Sequence, residues 1–95
     1  MREKAERAVL VTTAHRGVFF GYATDVEGPI IHLRRARLCI YWSADTKGFM
    51  GLAAYGPSAT CRIGPPADID LRAITAVVSV TSEAVKKWEV QPWKM

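Results

Sequence analysis

Residues 31–42 (IHLRRARLCIYW) hold the densest group of side chains in this 95-residue chain that could do chemistry. His32, Arg34, Arg35 and Arg37 fall within six positions, without one acid among them. Guanidinium groups form paired hydrogen bonds to phosphate or carboxylate, and an aromatic ring close by offers a stacking plane for a base. Tyr41 and Trp42 supply such rings, so Arg34, Arg35, Arg37, Tyr41 and Trp42 form a candidate site for a phosphate-bearing nucleotide. His15 and Arg16, in a turn before Gly17, could add to the same anionic surface. The plainer alternative is that Arg34 and Arg35 are solvated turn residues on a sheet edge charged against aggregation.

Catalysis finds little support. The two histidines, His15 and His32, fall in a turn and a strand, and no nucleophile-elbow, zinc-protease, deaminase or phosphate-loop motif is present. Asp68 and Asp70 share a face if extended, yet two ligands are too few for a cation, and a solvated loop near Arg72 accounts for them. Cys39 and Cys61 are 22 positions apart with no CxxC. A structural zinc site wants four ligands, so two buried, reduced thiols are expected. No catalytic residue, metal or cofactor is assigned.

The elements that must position these residues read mostly at period two. Residues 8–13 (AVLVTT) and 17–24 (GVFFGYAT) alternate as strands, and Gly21 suggests a bulge or bend. Residues 25–29 form a loop, followed by a short strand at 30–33 and another at 37–42. In that last strand Leu38, Ile40 and Trp42 should enter the core, leaving Arg37, Cys39 and Tyr41 on the other face. Residues 49–55 (FMGLAAY) suit a short helix closed by Gly56-Pro57. A brief strand follows at 60–63, and residues 74–81 (ITAVVSVT) give the cleanest alternation. Ser82 then looks like an N-cap for a helix over 83–90, which Pro92 stops.

Short strands joined by tight turns predict a mainly β domain, a small antiparallel SH3-like or Sm-like barrel with a short middle helix and a C-terminal helix. An α+β sheet with a helix on one face is the alternative. The whole chain, 1–95, fits one domain, with residues 1–7 expected to fray. Net charge is +4, mean hydropathy +0.04, and 49% of residues are hydrophobic. So small a domain leaves apolar area uncovered. Phe49, Met50, Leu52 and Tyr55 in the greasy middle segment, with Trp88 and Trp93 near the end, are the expected subunit interface of a homo-oligomer. No apolar run approaches the ~20 residues needed to span a bilayer, and no secretion signal is visible, so a cytoplasmic protein is expected.

Gly17-Val18, Phe20-Gly21, Leu33-x-x-Ala36-Arg37, Tyr41-Trp42, Leu52-Ala53, Cys61, Thr81-Ser82-Glu83-Ala84 and Pro92-Trp93 occur in that order. The arrangement resembles a small phage and prophage family of unknown function, over roughly residues 8–93. The resemblance implies a phage origin and a single domain, and it carries no catalytic residues. It suggests a non-enzymatic binder acting against host defence, either sequestering a nucleotide signal or occluding a defence protein in the manner of an anti-CRISPR. A structural accessory role and a nucleic-acid-binding module are further alternatives.

Overall fold

Alternating apolar residues drive the first two strands together, and the rest of the sheet grows from that hairpin. The computed structural model describes residues 6–14, 17–42, 48–58 and 61–92. Along the chain these form β1 (Arg7–Thr13), β2 (Val18–Ala23), β3 (Ile31–Tyr41), α1 (Gly48–Ala54), β4 (Arg62–Ile63), β5 (Ala67–Leu71), β6 (Ile74–Ser79) and α2 (Ser82–Val90). Among the described residues no helix is long and apolar enough to cross a membrane.

The strands make one six-stranded antiparallel sheet in the order β4-β3-β2-β1-β6, with β5 also paired to β3. The expected barrel is therefore corrected: this is a mixed α/β domain with an open sheet and two helices. Closure would need a ladder between β5 and β6, which only residues 72–73 separate. Instead β5 pairs with β3 and β6 with β1. The acids of β5 are committed to β3, Asp70 to His32 and Asp68 to the Arg35 backbone.

Both faces of the sheet are covered in part. On one, Leu10, Phe20 and Cys39 pack against Leu52 and Ala53 of α1 and against Ala84 and Trp88 of α2. On the other, Val9, Val11, Ile31, Leu33 and Ala36 enclose a second cluster with Leu71.

The stretches expected as separate strands at 30–33 and 37–42 are one strand, β3, interrupted by a bulge. Tyr22 pairs with Arg34 and Phe20 with Arg37, so three steps on β3 oppose two on β2. The same slip separates Leu33↔Ile69 from Ala36↔Ala67 on the β5 side. Arg35 absorbs the extra residue with a left-handed φ of 51°. One inserted residue moves every later side chain to the opposite face. Arg37 and Cys39 are consequently buried under the helices, and Leu38 (39% exposed) and Ile40 (43%) look outward beyond the reach of β5. Gly21 stands opposite the bulge, not in it: a Cβ there would lie 3.2 Å from the Leu33 side chain.

Thr81, not Ser82, caps α2. Its Oγ1 accepts from Ala84 N at 3.1 Å and donates to Ala54 O at 2.7 Å, tying the start of α2 to the end of α1. Gly56 closes α1 with φ +86°, and a Cβ there would sit 2.8 Å from Lys87 Cβ and 3.1 Å from Ala84 O. Gly56→Ala meets both a left-handed backbone penalty and a clash, and should lower unfolding stability by about 2–4 kcal/mol. Gly28→Ala, whose Cβ would find only Ile30 O at 3.8 Å, should be near neutral. Urea denaturation of the pair checks this, and equal midpoints would contradict it.

Candidate functional site

Pro92 ends α2, and its missing N–H leaves the Trp88 carbonyl among those at the helix end without a helical partner. In a continuing helix Trp88 O would accept the N–H of residue 92, and proline has none. Arg37 supplies the missing donor. Its Nη1 donates to Trp88 O at 2.6 Å and its Nε to Gly64 O at 2.9 Å. Arg37 as a residue is 5% exposed, and among the described residues no carboxylate pairs with it. Burial pushes its pKa below the ordinary arginine value, which still leaves it cationic at neutral pH. A cation at the helix's C-terminal end also meets the partial negative charge gathered there.

Beside this buried cation lies a cleft of about 410 Å³, walled by Phe20 and Tyr22 of β2, Arg35 and Arg37 of β3, Pro66, and Glu89, Gln91 and Pro92 at the end of α2. The aromatic wall is tightly ordered. Phe20 stacks on Trp88 with ring centroids 5.0 Å apart and meets Tyr22 edge-on at 5.4 Å. Tyr22 donates its hydroxyl proton to Glu89 Oε2. The Arg35 guanidinium lies 4.3 Å from the Tyr22 ring centroid, within cation–π range. Arg35 Nη2 also donates to Glu6 Oε1 at 2.7 Å, and its backbone N–H donates to Asp68 Oδ1 at 3.0 Å. Glu6 holds the Arg35 pKa above its usual value, chiefly through that hydrogen bond.

Burial first, then the hydrogen bond to Glu89, raises the Tyr22 pKa well above the usual 10.0. The raised value means the folded chain keeps this proton where the unfolded chain has lost it. Its contribution to stability is whole below pH 10.0 and is lost as pH rises above that value. Stability should therefore fall more steeply above pH 10.0 in the native chain than in Tyr22→Phe, by up to about 1.4 kcal/mol per pH unit. Urea midpoints measured across that range check it, and parallel curves would refute it.

Residues 6–88 match the family described as Domain of unknown function (DUF6948). The chain belongs to this family. No curated protein and no solved structure matches the chain. DUF6948 as described names no activity and no phage source, so what this member does must be read from its own side chains.

In this DUF6948 member the expected site residues separate. Arg35 and Arg37 come together at the cleft. Arg34 is exposed, with Nε 4.0 Å from Glu6 Oε2. Tyr41 ends β3, and Trp42 is half-buried against the helix-side core, not a free stacking plane. His15, Arg16 and Trp93 lie outside the described residues. Of the expected interface, Phe49 and Met50 belong to α1, and Met50 and Tyr55 are exposed. Leu52 and Trp88 lie fully buried in the core, and the Trp88 indole N–H donates to Leu52 O at 3.1 Å. Of the segment 1–7 expected to fray, Arg7 begins β1 and Glu6 precedes it, and residues 1–5 lie outside the described residues.

Phe20, Tyr22, Glu89, Gln91 and Pro66 were not foreseen in the site. One signal for it was readable: a proline four residues after Trp88 orphans a carbonyl that some donor must satisfy. His32 and Asp70 meet at 2.6 Å, but as an exposed pair across the β3–β5 ladder, apart from the cleft.

Proposed function

We propose that the domain is a cytoplasmic, non-catalytic protein-binding module whose cleft takes an acid-bearing peptide segment of a partner. The observation that carries this reading is Arg37. It is a buried cation with no carboxylate paired to it among the described residues, and it lines the cleft with donors beyond the two engaged by carbonyls. Phe20, Pro66 and Pro92 give the cleft apolar walls suited to a peptide's side chains. Glu89 is held by Tyr22, which favours recognition over proton transfer.

Among the described side chains, the nucleotide reading keeps its cation but finds no free stacking plane. Arg35 lies over Tyr22, Trp88 is buried against Phe20, and Trp42 packs on the core. Arg34 and Arg35 both face Glu6, which also weakens the case for a basic track along nucleic acid.

Calorimetric titration with short acidic peptides, the same peptides with Glu→Gln and an amidated C-terminus, and a nucleotide panel tests the proposal. Acidic peptides should bind, their neutral versions should not, and added salt should weaken binding. Arg35→Gln, a change at an exposed position, should weaken binding several-fold, and Arg37→Lys by about tenfold or more. Heat from nucleotides with none from any peptide would overturn it.

A further inference from the structure

The cleft at the end of α2 carries charges of both signs that are not balanced against each other. Of its two cations, Arg35 is already answered by Glu6 Oε1 at 2.7 Å. Arg37 has no carboxylate partner among the described residues. Glu89 is the one acid among the lining residues, and its carboxylate meets the neutral Tyr22 hydroxyl instead of a base. Among the described residues no cation lies within ion-pair distance of it. The carboxylate is held in place, because the Tyr22 ring is itself fixed between Phe20 and the Arg35 guanidinium. Gln91 lines the same cleft, and its Nε2 donates to Ser58 O at 3.0 Å, which leaves its amide oxygen as a second acceptor. Glu89 also stands in the last turn of α2, where the helix's partial negative charge favours a cation.

We infer that the cleft selects a dipolar peptide segment, one that carries a lysine or arginine close to the acid that meets Arg37. This selectivity rests on the cleft taking a peptide, as proposed above, and names the sequence it favours. The ligand's acid takes the uncommitted guanidinium N–H groups, and its base reaches Glu89 and the Gln91 amide oxygen. The two ends of the site lie close along the helix: Arg37 Nη1 is 2.6 Å from Trp88 O, and Glu89 is the next residue. One short segment can therefore meet both. Alternate side chains of an extended chain share a face, so the acid and base stand two positions apart. The overall charge pulls the other way, since a net +4 attracts a further acid more than a base. A preference for the base thus has a local cause.

Calorimetric titration with pairs of short peptides tests this. Each peptide holds one glutamate, and the position two residues from it, before or after, is lysine in one and glutamine in the other. The native chain should bind the better lysine peptide about three- to fivefold more tightly than its glutamine counterpart, a modest gain because Glu89 is exposed. Glu89→Gln keeps an acceptor for the Tyr22 hydroxyl, so near-native circular dichroism is expected, and it should erase the lysine preference. Glu83→Gln removes the same charge at the exposed start of α2, outside the cleft, and should leave the preference intact. Equal affinity of the native chain for lysine and glutamine peptides overturns the selectivity and leaves the peptide reading standing. So does a lysine preference that survives Glu89→Gln. No binding of any of these peptides removes the peptide reading and the selectivity together.

Discussion

Trp88→Ala should remove about 3–5 kcal/mol of unfolding stability, a large share of the roughly 5–15 kcal/mol a domain of this size holds. Trp88 is the largest fully buried side chain, and three separate contacts depend on it. Its ring stacks on Phe20, its indole N–H holds Leu52 O of α1, and its position in α2 seals the helix-side core. Truncation opens a cavity that the facing strand cannot collapse to fill, and it leaves the Leu52 carbonyl without that donor. Trp88→Phe keeps the stack and loses the hydrogen bond, so it should cost about 1–3 kcal/mol. Urea denaturation followed by far-UV circular dichroism gives both values. A loss below about 1 kcal/mol for the alanine variant would mean that α2 does not dock as described.

Arg37→Met should cost about 2–4 kcal/mol, although methionine roughly matches the aliphatic stem. The loss comes from the acceptors. Trp88 O and Gly64 O would stay buried without their guanidinium donors, each such group costing about 1–3 kcal/mol at full burial. Arg37→Lys keeps the charge but replaces a planar fork by a point donor, and should recover about half. Pro92 gives the decisive control. In a Pro92→Ala background, α2 can extend and residue 92 can donate to Trp88 O, so the cost of Arg37→Met should fall by about 1 kcal/mol or more. An unchanged cost in that background would show that Arg37 does not stand in for the missing amide. Binding of acidic peptides separates the two roles. It should weaken in Arg37→Met even where Pro92→Ala restores stability.

Legibility differed by element, and the differences have physical causes. Strands β1, β2 and β6 and helix α2 were readable because alternation, turn glycines and the Pro92 stop act between near neighbours. The bulge in β3 also left a trace. Ile31 and Leu33 are apolar at odd positions, whereas Ala36, Leu38 and Ile40 are apolar at even ones. That change of phase marks an inserted residue. Read as the gap between two strands, it put Leu38 and Ile40 inside and Arg37 outside. The left-handed conformation falls on Arg35, a residue type that gives no warning of it. β5 was missed because Asp68 and Asp70 read as solvated, while in the fold their carboxylates are partnered by β3.

The site was half legible. Arg35 and Arg37 stood out as unpaired cations, but their neighbours Tyr22 and Glu89 are 67 positions apart in the chain. No local pattern links such residues.

By itself, then, the sequence determined one small mildly basic domain, period-two strands ahead of a capped terminal helix, two thiols without a metal pattern, and arginine as the residue carrying the charge of interest. Those properties follow from backbone preference and composition, which need only adjacent residues. The tertiary structure decided which face of β3 is buried, that the sheet stays open, that Trp88 is core, and that Arg37 caps a proline-ended helix at the wall of a cleft. Each of these depends on which remote element covers a given side chain. A single inserted residue in β3 reverses that assignment without changing the local pattern on either side.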